Sequence, residues 1–371
     1  MTDFSKYAKP GVLGLRPYQP GKPIEELERE YGVSNIIKLA SNENPLGPSP
    51  KALEAMRGEL PDVWLYPDGN GFDLKQKLAA RHGVEMNQIT LGNGSSDVLE
   101  FAVRVFVGPG DEVLFSEHSF ALYPILTQAV GGTPVVAPAK NWGNDLEALR
   151  ARISERTRVI FIANPNNPTG TWLGEGELEA FVRAVPSEVL VVVDEAYFDY
   201  AIDPATGATD YPDTIGWVER YPNLMVARTF SKSYGLAGLR VGYAVSHPQV
   251  ADLMNRVRPP FNVNSVALAA AVAALDDEEH LRRSVTMNAE GLKQLVAGFK
   301  SMGLDYIPSV GNFISVDVGR TASPLYEALL HEGIIVRPVA NYGMPNHLRI
   351  TVGTAEENTR FLSALKKVLG A

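Results

Sequence analysis

The stretch Ser231-Lys232-Ser233-Tyr234-Gly235-Leu236-Ala237-Gly238-Leu239-Arg240 decides how this chain is read. It lies between two apolar runs, residues 224–227 and 241–245, each of which reads as a buried strand. A lysine between buried strands is costly unless its amine has a task. Small residues flank Lys232, so a bulky group can approach the backbone, and Arg240 supplies a fixed positive charge further on. The pattern fits an amine that forms a Schiff base with an aldehyde cofactor, beside a site for that cofactor's phosphate. Taken alone, it also fits a solvated lysine in a strand-to-strand loop.

Outward from this motif, short β-branched runs alternate with amphipathic segments. Strands are expected at 89–91, 112–115, 133–136, 159–163, 189–193, 224–227 and 241–245. Helices are expected at 50–60, 73–82, 96–107, 121–130, 146–153 and 175–185. The strands are continuously apolar rather than alternating. That predicts burial on both faces, hence an α/β fold with a mostly parallel seven-stranded sheet sandwiched by helices. After Pro259-Pro260 the pattern changes to a mostly helical 263–302, broken near Asp276-Asp277. Strands at 313–318, 334–338 and 347–351 follow, with helices at 323–331 and 355–369. The expected division is a large domain, 46–262, and a smaller α+β domain, 263–371. The latter is joined by the Pro- and Gly-rich amino-terminal arm, 1–45.

Composition narrows the function. Hydrophobic residues make up 45% and charged residues 21%, as in soluble globular proteins. The net charge is -9 with no basic tract, so neither nucleic acid nor an anionic membrane is an expected partner. There is no cysteine, and the histidines are scattered, so disulfides and a metal site are not expected. The first ten residues lack a secretory h-region and no apolar run spans a bilayer, which points to a cytoplasmic protein. Neither a G-x-S-x-G elbow nor a P-loop occurs.

In parallel α/β sheets ligands gather at the carboxyl ends of strands, and the polar motifs sit there. Gly92-Asn93-Gly94-Ser95-Ser96-Asp97 opens a helix. Its serines fit a phosphate site or a plain N-cap equally well. Asn164-Pro165-Asn166-Asn167-Pro168-Thr169-Gly170 is a stiff turn that can hold an asparagine donor toward a phenolate. Asp194-Glu195-Ala196-Tyr197 ends a five-residue apolar run. A carboxylate there needs a cationic or N–H partner, which is either a protonated pyridine nitrogen or a neighbouring Lys or Arg. Arg337 and Arg349 lie within strand-like runs, where a guanidinium seeks a bidentate anion. For Arg337 a structural ion pair fits as well; Arg349 is the better substrate-anion candidate.

The order G-N-G-S-S-D, N-P-N-N-P-T-G, D-E-A-Y, S-K-S-Y-G-L-A-G-L-R, L-R-I-T-V-G-T resembles the fold-type I pyridoxal-phosphate aminotransferases, from about Lys38 to the carboxyl terminus. Within them, four features resemble the members that act on histidinol phosphate. These are Arg16-Pro17-Tyr18, the run from Leu39 to Pro45, Tyr66-Pro67-Asp68-Gly69, and Gly333 to Pro338. The resemblance implies that Lys232 holds pyridoxal 5′-phosphate and that Asp194 pairs with its pyridine N–H. It implies that Asn167 and Tyr197 bond the ring 3-hydroxyl oxygen, and that Ser95, Ser96, Ser231 and Arg240 hold the phosphate. Phe120 falls where an aromatic stacks on the ring and where many relatives carry Tyr. Lys232, Asp194 and Tyr197 form the implied catalytic set. Tyr18, Asn42, Arg337 and Arg349 are the implied substrate contacts. Tyr66 would reach the phosphate of a partner subunit's cofactor, so a homodimer is implied. The implied reaction moves an amino group between L-histidinol phosphate and 2-oxoglutarate, yielding imidazole acetol phosphate and L-glutamate in histidine biosynthesis. The alternatives are an aminotransferase for phenylalanine or tyrosine, a decarboxylase of an amino-acid phosphate, and a non-catalytic cofactor-binding regulator.

Overall fold

Continuous β-branched runs leave a strand no polar face, so each must find cover on both sides. The computed structural model, which describes residues 2–203, 205 and 207–370, shows how this is met. Seven strands form one sheet: β1 (Ile89–Gly92), β2 (Glu112–Ser116), β3 (Thr133–Ala137), β4 (Thr157–Ala163), β5 (Leu190–Asp194), β6 (Leu224–Thr229) and β7 (Gly242–Ser246). Their order is β1-β7-β6-β5-β4-β2-β3. β7 is antiparallel to both its neighbours, and every other adjacent pair is parallel. All seven lie where the sequence predicts them, with ends shifted by a residue or two.

Side chains alternate between two cores. Ile160, Ile162, Val191 and Val193 face helices Pro50–Glu59, Phe72–His82 and Glu175–Ala184. Val159, Phe161, Leu190 and Val192 face Ser95–Phe106 and Leu122–Ala129. Burying both faces leaves only the strand ends open to a ligand, and the chemistry-bearing motifs sit at those ends.

A second, antiparallel sheet has the order Tyr306–Ile307, Phe313–Asp317, His347–Thr351, Arg337–Pro338. The single strand expected at 334–338 is in fact two. Ile334–Ile335 pairs in parallel with Ile37–Lys38 of the arm, whereas Arg337–Pro338 pairs with His347–Thr351. Pro338 lacks an N–H, and its strand lies at the sheet edge, where the missing donor costs little. The register makes Arg337 and Arg349 direct cross-strand partners.

The helix Ser265–Leu275 follows the expected division at 262, yet it packs against the large unit. Its buried Ala267, Ala270, Ala271 and Ala274 belong to the core under the seven-stranded sheet, and their small side chains let it lie close against Pro50–Glu59. The break expected near Asp276-Asp277 is present. The Asp277 side chain accepts from the His280 N–H and caps the next helix, Glu278–Ser301. We place the division between the two units at that break. Among the described residues no helix is long and apolar enough to cross a membrane.

Replacing Ala271 by Leu overpacks the interface between two helices of the large unit. The expected cost is about 1–3 kcal/mol, read as a lower urea midpoint with an unchanged slope.

Candidate active site

The carboxyl ends of β4, β5 and β6 open onto a cavity of about 430 Å³, closed opposite by Arg337 and Arg349 of the second sheet. Every site residue expected from the sequence lines it except Tyr66.

The lysine loop owes its shape to strand direction. Because β6 and β7 are antiparallel neighbours, the loop must turn back on itself. It does so with Phe230 N–H donating to the Val241 carbonyl and Leu236 N–H to the Phe230 carbonyl. Gly235 has left-handed backbone, φ 68°, and a Cβ there would fall 2.2 Å from the Gly47 carbonyl oxygen. The loop is thereby pressed against the arm's Asn-Pro-Leu-Gly segment. Lys232 Nζ donates to the Ser41 carbonyl at 3.2 Å. Burial, then the charge of Arg349, pushes the amine down to about 8, so a minor but far larger fraction than for a free lysine is unprotonated and nucleophilic near neutral pH.

Asp194 ends β5 and is buried. Burial pushes its carboxyl up to about 6, opposed by the Tyr123 hydroxyl, the Ala196 N–H and the charge of Lys232. Tyr123 donates to Oδ2 at 2.9 Å, while the buried Oδ1 has no hydrogen-bond partner among the described residues. An orphaned carboxylate oxygen facing a cavity calls for an N–H donor. Tyr197 is buried, with its hydroxyl pushed up to about 12 mainly by burial, so it stays protonated and can donate into the cavity. It accepts from Asn42 Nδ2 at 2.8 Å. The Asn42 side-chain oxygen accepts from Thr351 Oγ1 at 3.2 Å. Asn42, expected as a substrate contact, lines the cavity and braces Tyr197 with one of its amide N–H groups. In the Asn-Pro turn, Asn164 and Asn166 bond the scaffold, and Asn167 alone of the three faces the cavity. Its Oδ1 accepts from Arg349 Nη1 at 2.6 Å, which leaves the amide N–H groups free to donate.

A cradle for an anion forms where β1 meets helix Ser95–Phe106. Gly94 occupies the N-cap position and no side chain caps the helix, so Ser95 and Ser96 both remain available. Of the two readings left open by the sequence, the plain N-cap is the one the structure does not adopt. A Cβ on Gly94, whose φ is 86°, would lie 2.3 Å from Arg240 Nη2. Arg240 itself adopts left-handed backbone and reaches Ser231 Oγ at 3.4 Å through Nη1. Free helix amides, three serine hydroxyls and a guanidinium converge as a phosphate site requires.

Arg349 is buried. Nη2 donates to the Ala40 carbonyl at 2.7 Å, and Nε has no acceptor among the described residues. Arg337 donates to the Gln19 carbonyl and lies 5.8 Å from the Tyr18 ring centroid. Neither guanidinium is paired with a carboxylate among the described residues. The ion pair that fitted Arg337 in the sequence is absent, and the two side-by-side cations await an anion. Tyr18 meets Phe120 edge-on, with ring centroids 6.5 Å apart. Tyr66 lies away from the cavity, 82% exposed, stacked on Phe261 at 4.7 Å.

Sequence reasoning missed Tyr123, Ser41 and Thr351. For Tyr123 a signal existed. It follows Phe120 by three residues, the spacing that sets two side chains on one side of a helical turn. Nothing local announced the other two, which act through the backbone or through a distant asparagine. Among the described residues no cluster of His, Cys, Asp or Glu could hold a metal ion.

Residues 34–365 match the family model described as aminotransferase class I and II, and the chain belongs to that family. It is 61% identical over 369 residues, 99% of this chain and 98% of the relative, to histidinol-phosphate aminotransferase 2 of Pseudomonas fluorescens. It is 59% identical over 366 residues, with 99% and 98% covered, to histidinol-phosphate aminotransferase 1 of Nitrosococcus oceani. Among solved structures, histidinol-phosphate aminotransferase from Sinorhizobium meliloti in complex with pyridoxal-5′-phosphate superposes with a TM-score of 0.88. It is 32% identical, with 97% of each chain covered.

Two outcomes follow from this geometry. In cofactor-free protein, the rate at which trinitrobenzenesulfonate labels Lys232 rises with pH around a midpoint near 8, not near 10.5; Arg349→Met moves that midpoint upward. Gly94→Ala displaces the Arg240 guanidinium and weakens inorganic phosphate binding, measurable by calorimetry, and it lowers the melting temperature as well, because a φ of 86° strains any residue with a Cβ.

Proposed function

We propose that this chain binds pyridoxal 5′-phosphate through Lys232 and transfers the amino group of L-histidinol phosphate to 2-oxoglutarate, giving imidazole acetol phosphate and L-glutamate. The names and full-length identity of the relatives support the substrate. The observation that carries it is the pair Arg337 and Arg349, two guanidiniums without a carboxylate across one cavity from Lys232. A phosphomonoester dianion satisfies both, and so does the distal carboxylate of 2-oxoglutarate. Phenylalanine would offer the pair a singly charged carboxylate on a shorter arm in place of a phosphate dianion, which disfavours the aromatic alternative.

The residues present fit the cofactor. The orphaned Asp194 Oδ1 complements a protonated pyridine nitrogen, and the Gly94–Ser95–Ser96 turn with Ser231 and Arg240 complements a phosphate. When bound, pyridoxal phosphate supplies an aldehyde that captures amines and a ring that accepts the electron pair left on the substrate carbon. The protein does the rest. Asp194 holds the ring nitrogen protonated. Tyr197 and Asn167 donate to the ring oxygen, each held from behind by Asn42 and Arg349 respectively. Phe120 supplies a flat surface. Lys232 Nζ would take the proton from the substrate's amine-bearing carbon and deliver it to the cofactor's former aldehyde carbon, a role suited to an amine that titrates near 8. Arg349 and Arg337 fix the anionic end, so that this carbon stays beside the amine.

The working unit is a homodimer in the cytoplasm. Leu60, Val63, Trp64, Leu65, Tyr66 and Phe261 form an exposed apolar patch of the kind that marks an interface. A second copy covering it would let Tyr66 reach the partner's phosphate cradle.

Steady-state assays test the reading. Lys232→Ala abolishes turnover. Arg349→Ala lowers kcat/KM for histidinol phosphate by roughly a hundredfold or more, since a charged hydrogen-bond partner is lost. A higher kcat/KM for phenylalanine than for histidinol phosphate would overturn the assignment. Trp64→Asp shifts the sedimentation coefficient to that of a monomer and activity falls with it.

A further inference from the structure

Tyr123 is fully buried, yet its hydroxyl has one hydrogen-bond partner, Asp194 Oδ2. Its ring is fixed from two sides. It stacks on Phe161 of β4 at 4.4 Å with planes 3° apart, and Phe120 meets it edge-on at 5.8 Å. At the start of helix Leu122–Ala129, the Thr127 hydroxyl donates to the Tyr123 carbonyl. A ring held in this way cannot swing its hydroxyl elsewhere. The hydroxyl occupies Oδ2, and Oδ1 is the oxygen left without a partner at the cavity.

We propose that Tyr123 is a positioning residue for the reaction: its hydrogen bond to Oδ2 locks the Asp194 carboxylate so that Oδ1 remains for the cofactor's ring N–H. The proposal rests on the pyridoxal-phosphate reading above. It assigns one side chain to two of the ring's contacts, because Tyr123 also backs Phe120, the surface for the ring's face. Three groups that can titrate face the carboxylate among the described residues: Tyr123 from its helix, Lys232 from the β6–β7 loop, and Tyr197 from the turn after β5. Tyr123 donates directly, and with the Ala196 N–H it offsets the desolvation that favours a neutral carboxyl. A neutral Asp194 would carry its own proton and could no longer hold one on the ring nitrogen.

The test is Tyr123→Phe, which removes one oxygen and keeps the stacked ring. A carboxyl whose proton affinity rises on folding contributes stability in full below its unfolded value, 3.8, and loses it as pH climbs through about 6. Losing the tyrosine donor raises the folded value further. In the cofactor-free full chain, the melting-temperature gap between wild type and Tyr123→Phe should therefore widen from pH 6 to pH 8. In an Asp194→Asn background the gap should not depend on pH. With cofactor, kcat should fall about tenfold or more, the size expected for a lost bond to a charged group. KM for histidinol phosphate should stay within about twofold, and the cofactor should dissociate more readily at pH 6, where more of Asp194 is neutral, than at pH 8. A gap that is flat with pH, or that widens equally without Asp194, would show Tyr123 to be a packing residue and overturn the proposal. An unchanged kcat would do the same. Failure of the pyridoxal-phosphate reading itself shows elsewhere, as turnover that survives Lys232→Ala.

Discussion

A carboxylate held out of water with one oxygen unpartnered is the constraint around which the rest is arranged. Asp194 sits at the end of a strand buried on both faces and is itself buried, so protein groups must supply its partners. Desolvation alone would neutralise it, and the groups that resist come from three directions: a tyrosine on one helix, a backbone N–H in the following turn and a lysine in the loop between β6 and β7. None of the three completes Oδ1. The same condition recurs across the cavity, where Arg349 Nε lacks an acceptor. Polar groups buried in this incomplete state are expensive, and a fold that keeps several of them around one cavity has kept them for a ligand.

The two units meet through those groups. Arg349 belongs to the small sheet, yet its hydrogen bonds go to Asn167 of the large unit and to the carbonyl of Ala40 in the arm. Asn42 ties the arm to Tyr197 and Thr351 together. The cavity is thus shaped by three segments far apart in the chain, and no one of them holds it alone.

What the sequence revealed follows from where information is local. Strand runs such as 189–193 carry their burial in their composition, so the seven-stranded sheet could be read in full. The lysine loop, the Asn-Pro turn and the Asp-Glu-Ala-Tyr turn each announce themselves within a few residues. Tyr123 does not, because its meaning lies in Asp194, many residues away. That the helix Ser265–Leu275 packs under the large sheet was not legible for a related reason. Its alanines have no face preference, and only the partner helix Pro50–Glu59 reveals which core they fill. The split of 334–338 was hidden likewise, since a continuous apolar run does not say that its two halves pair with different strands.

The pairing of Ile37–Lys38 with Ile334–Ile335 has a consequence for how the molecule is made. A ribosome releases Ile37–Lys38 long before its pairing strand, so this part of the arm must wait, unmatched, while the segment between them emerges. The seven-stranded sheet can close during that wait, because β7 is complete well before residue 334 appears. The Ala40 carbonyl and the Asn42 N–H find their partners, Arg349 and Thr351, only after the last strand of the second sheet has emerged. Synthesis order alone therefore leaves the cavity open on one side until the second sheet has emerged.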